Sequence, residues 1–121
     1  MNPVPSASRA GRFFMTSGVS GRDPATGTFP ETIEEQCAQM FASLRVMLEQ
    51  AGATPEDVVK ITVWLKDRSL CAHLDEEWTA MFTDPHSRPA RSTLANPLLD
   101  VPMMVQCDCF AVIEETGGAR S

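Results

Sequence analysis

No run of lysine or arginine interrupts an acidic balance in which ten Lys and Arg stand against sixteen Asp and Glu, a formal net charge of −6. Such a surface repels a phosphate backbone, and no local basic cluster reverses it, so no nucleic-acid partner is expected. No apolar stretch reaches the length of a bilayer span, so no membrane partner is expected either. Met1 to Gly11 carries Pro3 and Pro5 among small residues but lacks the basic segment and apolar run of a secretory leader, which makes a cytoplasmic location the expectation. Histidine is scarce: His73 and His86 are the two, and neither has a serine or cysteine partner in a recognisable nucleophile motif. A metal signature is missing as well. Cys107 and Cys109 would give two ligands, but no second Cys or His pair stands at ligand spacing. All four cysteines, Cys37, Cys71, Cys107 and Cys109, fall on apolar faces and read as buried reduced thiols. Internal repeats and low-complexity segments are absent.

What is present fits one domain over 1–121, since the chain has room for one hydrophobic core. Arg12 to Ser20, rich in Phe13, Phe14, Met15 and Val19, reads as a strand stopped by Gly21, and Asp23-Pro24-Ala25-Thr26-Gly27 as a turn. From Glu31 to Ala51 the residues Ile33, Cys37, Met40, Phe41, Leu44, Leu48 and Ala51 recur at helical steps, with Glu34, Glu35, Gln39, Arg45 and Glu49 between them. Gly52 is placed to end that helix, and Thr54-Pro55-Glu56-Asp57 to open a short helical turn. A strand follows over Val58 to Lys66, with Val59, Ile61, Val63 and Leu65 as the core face. Leu70, Leu74, Trp78 and Met81 stripe a second helix over Ser69 to Phe82. Met103 to Ile113 is the last strand, alternating Val105, Cys107, Cys109 and Ala111 against Gln106, Asp108, Phe110 and Val112. Residues 1–11 and 114–121 read as loop or flexible.

Two helices cover only one face of such a sheet, and the wholly apolar strand faces are the candidates for the side beneath them. The other face would carry Thr62, Trp64, Phe110 and Val112 among Lys60, Gln106 and Asp108, too much apolar area for a small monomer. A homo-oligomer burying that face is expected, with clefts between its subunits. In Pro89-Ala90-Arg91-Ser92-Thr93 an arginine stands in a short extended segment, a loop away from the strand that carries Gln106 and Asp108. A guanidinium keeps its proton and grips a carboxylate through parallel hydrogen bonds, so Arg91 is the candidate anchor of an acid-binding pocket, against the alternative of a plain salt bridge.

Taken in order, Phe14-Met15-Thr16-Ser17-Gly18, Asp23 to Gly27, Asp57-Val58-Val59-Lys60-Ile61-Thr62-Val63-Trp64-Leu65-Lys66-Asp67 and Pro89-Ala90-Arg91-Ser92 resemble the RidA/YjgF family of reactive-intermediate deaminases. The resemblance covers nearly the whole chain. It implies a chorismate-mutase-like α+β fold, a mixed β-sheet with two helices on one face, and a homotrimer with inter-subunit pockets. It also implies an activity: hydrolysis of 2-imino or enamine acids to 2-oxoacids and ammonia, with no cofactor. By the same resemblance Arg91 matches the arginine that binds the substrate carboxylate, Thr93 a position whose backbone orients the substrate, and Ser17 a serine lining the pocket.

Two family positions differ. Counting without gaps from Arg91 puts Gln106 where the family has its water-activating glutamate, and an amide is neither acid nor base near neutral pH. Gln106 is then a hydrogen-bonding pocket residue, and Asp108, two residues on and on the same strand face, is the carboxylate expected to move protons beside Arg91. The family's pocket tyrosine has no counterpart, since the chain has no tyrosine and Val4 falls near that place. Gln106 keeps open a second reading, a non-catalytic module of the same fold that binds small carboxylates. A ribonuclease or chaperone role, attached to some relatives, gains little from an acidic chain without a histidine acid–base pair.

Overall fold

Thr32 starts the long helix by donating to Glu35 Oε1 at 2.9 Å while its Oγ1 accepts from Glu35 N at 3.2 Å. This satisfies one of the orphan N–H groups at the helix start. Helix α1 then runs Ile33–Gln50 in the computed structural model, which describes residues 3–114. Its stripe of Cys37, Met40, Phe41, Leu44 and Leu48 is buried as the periodicity predicts. One polar residue joins that face. Gln36, fully buried, donates to Pro30 O and Pro102 O and accepts from Met104 N, so its amide ties α1 to two loops.

Six strands form one mixed sheet: β1 (Ala7–Ala10), β2 (Phe13–Thr16), β3 (Val19–Ser20), β4 (Val58–Leu65), β5 (Ala90–Ala95) and β6 (Val105–Val112). Their order is β1-β2-β6-β4-β5, with β3 also on β6; β4 and β5 are parallel and the other pairs antiparallel. Helix α2 (Cys71–Met81), entered through a 3-10 turn at Arg68–Leu70, packs beside α1. Both helices share a core with Ile61, Val63, Leu65, Val105, Cys107, Cys109 and Ala111, which places them on one face and gives the expected α+β architecture. The 3-10 turn Pro55–Asp57 lies where its cap and proline predict. Among the described residues no helix is long and apolar enough to cross a membrane.

Four expectations need correction. Within 1–11, read as loop, Ala7–Ala10 pairs with β2 as an edge strand whose short polar sequence carries no hydrophobic alternation. The strand expected over Arg12 to Ser20 is two: from Met15↔Phe110 to Val19↔Cys107 this segment advances four residues while β6 advances three. The extra residue sits near Ser17 and Gly18, and Thr16 Oγ1 takes the Cys109 N–H at 3.0 Å there, as at a β-bulge. A second bulge between Val58 and Lys60 reverses the start of β4, so Val58 is buried and Val59, assigned to the core, is 47% exposed. Cys71 is half-buried, unlike the other three thiols. Of the tail expected to be flexible, 115–121 lies outside the described residues.

Candidate functional site

Strand β5 is one edge of the sheet, and its parallel register decides where its side chains go. Arg91 is level with Ile61 and Thr93 with Val63, both core residues, so Arg91 and Thr93 face the helix side. There the Arg91 guanidinium lies 4.9 Å above the centre of the Trp78 ring, and Nη2 donates to Asp75 Oδ1 at 2.6 Å. Trp78 is braced by Phe82, ring centres 4.7 Å apart. Arg68 Nη1 donates to Thr93 O at 2.8 Å, fixing the strand from its open edge.

The contact to Asp75 uses one of the five N–H groups of the guanidinium, and no other hydrogen bond from it is made to the described residues. The Arg91 side chain is 20% exposed and that of Asp75 55%. Such a pair is wet and salt-screened, worth roughly 0–1 kcal/mol, and does not seal the cation away. Of the two readings weighed for Arg91 from sequence, the salt bridge is formed, with Asp75, and it leaves guanidinium donors unused among the described residues.

Gln106 and Asp108 are elsewhere. They lie on β6, paired with Trp64 and Thr62 of β4, on the face away from the helices, and Arg91 projects from the opposite side. Within one chain the structure therefore does not bring Asp108 to Arg91; the sequence places both beside strands but not on which side of the sheet. The Asp108 side chain makes no hydrogen bond or ion pair among the described residues. Gln106 packs against Gly18, where an added Cβ would lie 2.4 Å from its Nε2, so a side chain at residue 18 would displace this amide. Next to it Ser17 donates from Oγ to Pro5 O at 2.7 Å, a loop bond. On the same outer face Lys60 Nζ donates to Ser92 Oγ at 2.7 Å.

Two separate clusters result: Arg91, Thr93, Asp75 and Trp78 at the β5 edge, and Ser17, Gly18 and Gln106 around the β2–β3 bulge. Asp75 and Trp78 were missed as site residues. Their spacing of three on a helix, which puts them on one strip of surface, was the available signal, but nothing local points that strip at Arg91. Two open clefts of the chain, one lined by Met81, Phe82 and Asp84 and one by Gly18, Ser20 and Arg22, do not include Arg91.

The three buried thiols do not supply a nucleophile. Burial, reinforced by Glu77 and Glu34, pushes Cys37 up to about 12; burial, then Asp108, does the same to Cys109; and burial raises Cys107 further. At neutral pH these remain protonated and inert. His73 contacts Glu34 across the helix pair, Nδ1 to Oε1 at 3.3 Å, and His86 is exposed in the loop before β5. Among the described residues no three His, Cys, Asp or Glu side chains converge on a common metal position.

Comparison with known proteins places these features in a wider set. The profile of the family described as endoribonuclease L-PSP matches residues 2–113. A RutC family protein of Aquifex aeolicus is 31% identical over 112 residues, covering 93% of this chain and 90% of that protein. The 2-iminobutanoate/2-iminopropanoate deaminase of Salmonella typhimurium is 31% identical over 103 residues, covering 84% of this chain and 80% of the deaminase. Among solved structures, RidA from an Antarctic Psychrobacter superposes with a TM-score of 0.86 at 30% identity, over 93% of this chain and 89% of the other.

Proposed function

The chain belongs to the endoribonuclease L-PSP family, that of YjgF and RidA, and on this premise we propose that it hydrolyses 2-imino acids and their enamine tautomers. The observation that carries the reading is Arg91: an edge-strand guanidinium, braced on Trp78, whose bond to Asp75 leaves N–H groups unused among the described residues. A substrate carboxylate bound there by two parallel hydrogen bonds has its C=N carbon held at a fixed height above the site. Thr93, on the same strand and side, orients it through the backbone.

The chemistry asks little of the protein because an iminium carbon is already electrophilic. Water oxygen bonds to that carbon, its protons pass to nitrogen, and the C–N bond breaks, so R–C(=NH2+)–COO− and H2O give R–CO–COO− and NH4+. No cofactor enters. One positioned water and one proton acceptor suffice.

The cluster around the β2–β3 bulge supports the same reading through assembly. Phe13 and Met15 are 57% and 56% exposed on the outer face, and Phe13 stacks on Phe110 with ring centres 6.0 Å apart. With Trp64 and Val112 this is the apolar area expected to be buried between copies of the chain. In a homotrimer the β5 edge of one copy meets the outer face of the next, and Gln106, Ser17 and the proton-accepting Asp108 come from the neighbour. Light scattering at micromolar concentration is expected to give three subunit masses; one subunit mass would leave the site without its second half.

The family's endoribonuclease description is not carried over. With a net charge of −6 and its two histidines on separate elements, the chain offers neither a phosphate-binding surface nor a histidine acid–base pair. The expected partner is a small carboxylate in a cytoplasmic setting. The deciding experiment is ammonia release from 2-aminoacrylate, or from an imino acid generated by an amino-acid oxidase. Catalysed release is the expected result, and binding of 2-oxoacids without turnover would replace the deaminase reading by a carboxylate-binding module.

A further inference from the structure

An arginine that already holds a carboxylate at 2.6 Å is a half-neutralised anion site. A ligand with only negative charge pays for that: its carboxylate must share one guanidinium with Asp75, and the two anions repel. A ligand with a positively charged nitrogen beside its carboxylate meets the opposite situation. Its carboxylate takes the free N–H groups of Arg91, and its nitrogen, one carbon further, donates to Asp75. The Asp75 side chain is 55% exposed, and only its Oδ1 is engaged, leaving Oδ2 as an acceptor turned to no other partner among the described residues. Asp75 is also well held, on the second turn of α2 with Trp78 one turn on beneath the guanidinium.

From this geometry we infer that Asp75 is a specificity-determining residue that makes the Arg91 site selective for zwitterions, α-iminium or α-ammonium carboxylates, over 2-oxoacids. The inference rests on Arg91 binding the substrate carboxylate as proposed above and adds the group that reads the nitrogen. Asp75 favours the protonated iminium, which is the electrophilic form. It also distinguishes substrate from product: hydrolysis replaces two N–H donors by a carbonyl oxygen, which faces Asp75 lone pair to lone pair. The 2-oxoacid is then repelled and Asp75 re-pairs with Arg91. Because Arg91 and Asp75 lie on one chain, this selectivity does not depend on which copies meet in the assembly.

The test is calorimetric binding of L-alanine and pyruvate, which share a carbon skeleton, to the wild type, Asp75→Asn, Asp75→Glu and Arg91→Met. The wild type is expected to bind alanine more tightly than pyruvate. Asp75→Asn, isosteric and on an exposed helix position, is expected to cut that ratio about tenfold, the weight of one charge-assisted hydrogen bond, by weakening alanine and strengthening pyruvate. Asp75→Glu keeps the sign of the preference. A ratio within twofold of wild type in Asp75→Asn, or a parallel rise of both affinities, overturns the inference, since Asp75 would then only compete for Arg91. If both ligands need Arg91 but the ratio ignores residue 75, the Asp75 assignment alone falls. If neither binds the wild type, or Arg91→Met binds both unchanged, the Arg91 reading falls and takes this inference with it.

Discussion

Arg91→Met is expected to lower kcat/KM for imino-acid hydrolysis by about 100- to 1,000-fold, read as ammonia release, with little effect on thermal stability. The magnitude follows from losing a charge-assisted, two-bonded grip on the substrate carboxylate, roughly 3–4 kcal/mol of binding energy. Methionine keeps an aliphatic stem over Trp78, so the packing that Arg91 now provides is largely retained. The lost pair with Asp75, half in water, is worth only about 0–1 kcal/mol. Lysine is a poor replacement because an ammonium is a point charge without the planar fork. If the loss appears mainly in KM, Arg91 anchors; if kcat falls as well, the grip also aligns the C=N carbon with water. Activity within twofold of wild type in Arg91→Met would remove the guanidinium from the mechanism.

The largest loss of stability is expected far from that site, at Gln36. Truncation to alanine strands Pro30 O, Pro102 O and Met104 N in the interior and leaves a void where the amide was. Each orphaned buried group costs about 1–3 kcal/mol, and partial relaxation brings the sum to roughly 4 kcal/mol. For a chain of this size that lowers Tm by about 15 °C. Gln50→Ala, on the exposed end of the same helix, is expected to shift stability by less than about 0.5 kcal/mol. A Gln36→Ala melting curve within a few degrees of wild type would show that water replaces the amide at no cost.

Gln36 shows where reading the sequence stops. Its helix was legible, because Ile33, Cys37, Met40, Phe41, Leu44 and Leu48 carry a 3.6-residue period that any chain with this spacing buries. That one glutamine on the stripe is a hydrogen-bonding clamp was not legible, since its three partners lie up to 68 residues away. Strand β6 was read with its faces right because alternation is local. Strand β4 was read with one face wrong at its start, because a bulge is a property of the pair Val58↔Ala111 and Lys60↔Phe110, not of either strand alone.

The candidate site divides in the same way. By itself the sequence determined one long amphipathic helix, the alternation of the final strand and the presence of an arginine set in an extended segment, all features with a period or a motif of a few residues, while the α+β class came with the resemblance of four ordered segments to a family. Only the tertiary structure decided that Arg91 faces α2 and meets Asp75 and Trp78, while Gln106 and Asp108 look out from the other side of the sheet. The reason is that a strand's side chains alternate with a period of two, so the face each residue takes is set by cross-strand register, and one residue of shift reverses it. Register is chosen by the packing of the whole core, which no short segment contains.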